Sequence, residues 1–153
     1  MNFKTFHDMK RYFFLTLVFF AAAFFSQSVK AQTEAQRVEL CTKVAGGTFL
    51  SSYPVKLDAA QTGQRQTPFK QAVAMKKGNM YQFTVCTDEE SSGEAYLDLF
   101  DEAKKVGTTL VDGKTFTSFT FECTKTAYYI IFIQFRDGKE GSAVGIASHV
   151  KTL

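Results

Sequence analysis

Tyr128-Tyr129-Ile130-Ile131-Phe132-Ile133-Gln134-Phe135 is the stretch that decides the fold. It is apolar at odd and at even positions, which is the pattern of a central strand covered on both sides. Just before it, Phe119, Phe121 and Cys123 share one parity. Just after it, Asp137-Gly138-Lys139-Glu140-Gly141 reads as a hairpin-type loop, and Val144, Ile146 and Val150 close the set. Working further back, Ala95, Leu97 and Leu99 point inward while Tyr96, Asp98 and Phe100 point outward. Tyr81, Phe83 and Val85 alternate against Gln82, Thr84 and Cys86, and Phe69, Val73 and Met75 form one face. Tyr53, Val55 and Leu57 form another. Between these runs lie turn signals: Lys76-Lys77-Gly78-Asn79, the acidic Ser/Gly loop from Asp88 to Glu94, Asp101 to Gly107, and Asp112-Gly113-Lys114. Period-2 runs at such spacing predict an all-β fold, an antiparallel sandwich or barrel rather than βαβ units.

Gln32 to Gly47 departs from this pattern. Thr33 with Gln36 three residues on reads as a capping box, Val38, Cys41 and Ala45 recur at helical spacing, and Gly46-Gly47 can end a helix. The expectation is a short N-terminal helix followed by the β domain, with residues 32–153 as a single domain of a size that buries one core.

Residues 1–31 read as a different object. Lys4, Lys10 and Arg11 precede an uncharged run of 14 residues from Tyr12 to Phe25, and Ser26-Gln27-Ser28-Val29-Lys30-Ala31 follows. Basic, apolar, then small is the order of a secretory signal peptide, with the cut expected after Ala31. A spanning helix needs about 20 apolar residues, so stable membrane insertion after cleavage is not expected. The expected address is exported, periplasmic or extracellular. The formal charge of +3 over 153 residues then belongs to the leader. Residues 32–153 carry 14 basic and 14 acidic side chains, with basic doublets only at Lys76-Lys77 and Lys104-Lys105. That is no nucleic-acid footprint.

The run Val73-Ala74-Met75-Lys76-Lys77-Gly78-Asn79-Met80-Tyr81-Gln82-Phe83-Thr84-Val85 resembles the strand, Lys-Gly turn and Tyr-x-Phe-x-Val opening of bacterial pre-peptidase C-terminal (PPC)-type domains. Ala95-Tyr96-Leu97-Asp98-Leu99-Phe100-Asp101 is similar to their apolar strand ending in an acidic turn. Phe119-Thr120-Phe121 with Thr126-Ala127-Tyr128-Tyr129-Ile130-Ile131 is similar to their closing strand pair, with Ala127 where the family commonly has Gly. The resemblance implies a jelly-roll-like β-sandwich, and a non-catalytic accessory role of the kind such domains play beside secreted hydrolases.

Catalytic constellations are scarce. His7 leaves with the leader, so His149 is the remaining histidine, read as a solvent-facing strand residue. Gly141-Ser142-Ala143-Val144-Gly145 lacks the spacing of a nucleophile elbow, and there is no Walker-type loop or H-E-x-x-H. No enzyme activity is expected, with a small hydrolase built around His149 and an acidic loop as the alternative. Cys41, Cys86 and Cys123 allow three pairings with one thiol left over, or three reduced small apolar groups. No cofactor is expected, although Asp88, Glu89, Glu90 and Glu94, or Asp98 and Asp101, could supply part of a Ca²⁺ site; solvated turns are the competing reading. Tyr53, Tyr81, Tyr96, Tyr128 and Tyr129 could include a sugar-stacking platform. Tyr96 and Phe100, opposite Leu97 and Leu99, are the aromatic pair expected to be exposed or to meet a second sheet. The expected function is a binding or accessory module for a glycan polymer or an envelope protein, with a self-associating structural component as a further alternative.

Overall fold

The computed structural model describes residues 32–153; the leader reading of 1–31, with its cut after Ala31, lies outside the described residues. Helix α1 spans Glu34–Val44 and begins where the capping box places it. The Gln36 amide donates to Thr33 Oγ1 at 3.3 Å, and the Thr33 amide donates back to Gln36 Oε1 at 2.9 Å. Ten strands follow: β1 (Thr48–Leu57), β2 (Phe69–Met75), β3 (Asn79–Thr87), β4 (Ala95–Asp101), β5 (Lys104–Thr108), β6 (Leu110–Val111), β7 (Lys114–Thr115), β8 (Ser118–Cys123), β9 (Ala127–Phe135) and β10 (Gly141–Thr152).

Eight of these strands build two four-stranded antiparallel sheets. The first has the order β1-β10-β3-β8 and the second β2-β9-β4-β5, while β6 and β7 form a separate small hairpin. Successive strands alternate between the sheets except at the β4–β5 hairpin, and this is the double-Greek-key order of a jelly roll. The inner parities read from the sequence meet in one core. Phe83, Leu97, Leu99, Ile131 and Ile133 are fully buried there, with Val55, Met75, Tyr81, Val85, Tyr129 and Phe135 around them. Gly145 is needed at its place on β10, because a Cβ would lie 2.6 Å from Ile133 of the opposite sheet.

Three local expectations are corrected. Asp101 to Gly107 is not one long turn: Glu102 takes a positive φ of 53° and the chain re-enters the sheet as β5. Val144 and Ile146 do not close the sandwich core. They face the other way, outside the first sheet, where Val38 and Cys41 of α1 and its C-cap residue Ala45 bury them. On β10 the inward residues are small, Ala143 and Ala147. A helix lying on the sheet therefore makes the outer parity the apolar one. His149 is not solvent-facing either. It is half-buried, its ring sits edge-on to Tyr81 at 5.9 Å, and its Nε2 lies 2.9 Å from Asn79 Oδ1.

Helix α1 is pinned by two further links. A disulfide joins Cys41 to Cys86, so the possibilities involving Cys123, and the fully reduced one, are set aside. Cys123 is a buried free thiol that donates to the Lys125 carbonyl at 3.1 Å. The Arg37 guanidinium also donates to Asp88 Oδ2 at 2.8 Å. That bond holds the Asp88 carboxyl below its ordinary value, against the opposing effect of burial. A lowered native pKa means the contribution is complete above the ordinary carboxylate range and is lost as pH falls through the lowered value. Asp88→Asn is therefore expected to cost about 2 kcal/mol at neutral pH. It should also flatten the acid limb of a urea-midpoint profile between pH 6 and pH 2.

Candidate functional site

Strand β9 is internal in its sheet, as its sequence demands, yet only one of its faces is covered. Tyr129, Ile131, Ile133 and Phe135 are buried in the core. On the opposite face Ile130, Phe132 and Gln134 are half-exposed and Tyr128 is 74% exposed. The expected second cover over this strand is absent among the described residues. An apolar parity that a sheet buries nowhere is a candidate for recognition rather than folding.

The register builds the rest of this face. Phe132 stands between Asp98 on β4 and Lys70 on β2, and Ile130 stands between Phe100 on β4 and Ala72 on β2. Phe100 in turn is opposite Lys105 on β5. The Phe100 and Phe132 rings meet edge to face, with centroids 5.1 Å apart at 71°. Lys70 Nζ lies 5.7 Å from the Phe132 centroid, and Lys105 Nζ lies 5.8 Å from that of Phe100. One side chain from each of the four strands therefore enters a single diagonal: Lys70, Phe132, Phe100, Lys105. Ala72 and Ala74, opposite Ile130 and Tyr128, add only methyl groups beside it.

Beneath the rings sits a carboxylate. Asp98 is 4% exposed; its Oδ2 takes an ion pair from Lys105 at 2.8 Å, and its buried Oδ1 has no hydrogen-bond donor. Burial, and then the charge of Asp98, push the neighbouring Tyr96 hydroxyl above its ordinary value, so it stays a neutral donor at physiological pH. Lys105 is half-exposed, so the ion pair itself is worth little. A buried carboxylate stranded without a cation is the larger cost. Lys105→Met is expected to lower stability by about 2 kcal/mol, and Asp98→Asn by about 1 kcal/mol. Equal losses in urea unfolding would argue against that asymmetry.

Tyr96 and Phe100 thus lie together on this face, as their parity requires, and are half-buried by their neighbours. Phe132, Ile130, Lys70 and Lys105 were not singled out by sequence, although the both-parity apolar run was the signal for the first two. The acidic residues do not converge. Asp88 serves Arg37, Glu94 lies 3.3 Å from Arg136, Asp98 serves Lys105 and Asp101 serves Lys125 at 2.9 Å. Asp88 Oδ1 also accepts from the Glu90 amide, which makes that stretch a self-bonded turn. Among the described residues no group of three or more His, Cys, Asp or Glu is placed to hold a metal ion, so the Ca²⁺ sites imagined from Asp88, Glu89, Glu90, Glu94, Asp98 and Asp101 are not assembled.

Two other depressions carry less chemistry. One, of about 190 Å³, lies beside α1 between Arg37, Leu40 and the disulfide. The other, of about 360 Å³ and mainly polar, lies under the loop from Lys56 to Pro68. No known family model and no curated protein matches this chain, so the functional reading rests on the geometry.

Proposed function

We propose that this protein is an exported, non-catalytic binding module that holds a glycan polymer on the outer face of its second sheet. One observation carries the reading: the aromatic and aliphatic parity of β9 and β4, Tyr96, Phe100, Tyr128, Ile130 and Phe132, stands on the outside of a sheet whose inner face already fills the core. Tyr and Phe rings with a polar rim suit sugars, whose ring faces are apolar and whose edges are polar. The Cys41–Cys86 disulfide supports an oxidising address, in line with the leader expected at 1–31. The resemblance of Val73–Val85 to PPC-type domains points toward the same accessory role. A non-catalytic role is supported by His149, which spends Nε2 on the Asn79 amide oxygen rather than meeting a carboxylate partner.

The test is co-sedimentation of the purified protein with a panel of insoluble and cross-linked polysaccharides, run beside envelope proteins from the same source. Phe132→Ala is expected to weaken glycan retention at least tenfold while costing little stability, because Phe132 is not a core residue. Retention by no polysaccharide, or unchanged retention by the Phe132→Ala variant, would remove this face as the site.

A further inference from the structure

We propose that the diagonal Lys70–Phe132–Phe100–Lys105 recognises an acidic glycan, a chain of uronate sugars, an inference that rests on the binding reading above and narrows it to one chemical class.

In the free protein each end of the aromatic pair is capped by an ammonium group, 5.7 Å and 5.8 Å from the ring centres. A sugar that stacks on the Phe132 ring has to push the Lys70 ammonium aside. A neutral sugar gives it nothing in return beyond hydroxyls, whereas a uronate carboxylate beside the stacked ring receives it as an ion partner. Lys70 is the freer of the two, since it is exposed and in no salt bridge among the described residues. Lys105 is held by Asp98 and so supplies a cation fixed in position. With neighbouring strands spaced ~4.8 Å apart, the two backbone attachment points on β2 and β5 are roughly 14 Å apart across the sheet. The two cations thus address two points along a chain rather than one small anion.

Two further observations fit a sugar chain. The rings meet at 71°, so they make a bent seat for a single twisted strand and not a flat bed for a crystalline polymer surface. Asp98 Oδ1, buried beneath the same face with no donor, is an acceptor that a sugar hydroxyl would reach by parting Tyr96 and Phe100. A wholly apolar partner would leave that oxygen unmet.

The experiment is isothermal titration of the purified protein with soluble polygalacturonate and with the same polymer fully methyl-esterified, which keeps the sugar rings and removes the charge. Binding to the acid form at least tenfold tighter than to the ester, weakening as salt is raised, is the expected result. Lys70→Met is expected to weaken acid-form binding about fivefold to tenfold and to strengthen ester binding slightly, because no ammonium then has to leave the Phe132 ring; since Lys70 is exposed, the fold is not at risk. Equal binding to acid and ester would overturn the charge assignment while leaving the glycan-binding reading in place. Binding to neither polymer, alongside retention by a neutral polysaccharide, would do the same. Preference for anionic phospholipid vesicles over both polymers would overturn it in favour of a membrane surface. Failure to bind any polysaccharide would overturn the broader reading together with it.

Discussion

A Cys41→Ala/Cys86→Ala double variant is expected to lose about 4 kcal/mol of stability. The two cysteines are 45 residues apart in sequence. By chain entropy, cross-linking a loop of that length restricts the unfolded chain by about 4 kcal/mol at room temperature. The native state loses something as well. Cys41 is the residue through which α1 packs on Val144 and Ile146, and with the bridge gone the helix is held by the Arg37–Asp88 bond and by Val38 and Ala45. An isolated helix of 11 residues is too short to persist on its own. Helical far-ultraviolet signal should therefore fall first, while the sandwich core, which contains no residue of α1, keeps its near-ultraviolet aromatic signal. For a domain whose total stability is of order 5–15 kcal/mol, such a loss brings the variant close to its unfolding threshold. At an m-value of about 2 kcal/mol per molar the urea midpoint should drop by roughly 2 M. A drop smaller than a quarter of that would mean the loop is already constrained in the unfolded chain, and the entropic account would fail.

How much of this is legible in the sequence depends on whether a parity faces the core or something else. The inner faces were readable because both sheets bury one side against each other: Tyr81, Phe83 and Val85, or Ala95, Leu97 and Leu99, could occupy the core only in that register. The helix was readable from its capping box, since Thr33 and Gln36 satisfy each other's backbone locally. What failed were the outer parities. Two strands are apolar outside as well as inside, and sequence gives the same signal for both. On β10, Val144 and Ile146 are roofed by α1, whereas on β9 Ile130 and Phe132 are roofed by nothing among the described residues. Telling these apart needs the topology, because β10 adjoins the cysteine-bearing β3 and β9 does not. The same reason explains the lysines. Lys70 and Lys105 belong to strands that never neighbour each other, and only the order β2-β9-β4-β5 places them at opposite ends of one aromatic pair. Cysteine pairing was open for a related cause: Cys86 points away from the core toward α1, while Cys123 lies inside it, so opposite sheet faces separate the two.

The distinction between a folding face and a binding face is itself measurable through two phenylalanines. Phe83→Ala is expected to cost about 4 kcal/mol, and Phe132→Ala about 1 kcal/mol. Phe83 is 0% exposed, its ring is stacked on Phe119 with centroids 5.5 Å apart, and Leu97, Leu99, Ile131 and Ile133 share its core. Truncation there removes the transfer energy of a whole ring and leaves a cavity that two opposed sheets cannot readily collapse to fill, since strand pairing holds them on both sides. Phe132 has a ring on one side, an ammonium on another and solvent nearby, so its loss opens no cavity; the cost is one edge-to-face contact and one cation–π contact. The two variants should then separate in opposite directions. Phe83→Ala should shift the unfolding midpoint strongly and, below that midpoint, retain glycan binding, because no residue of the diagonal contacts the lost ring. Phe132→Ala should shift its midpoint by only about 0.5 M of urea and lose binding. If instead Phe132→Ala destabilised the protein as much as Phe83→Ala, its ring would be part of the fold's own support. The aromatic face of β9 would then need no ligand to explain it.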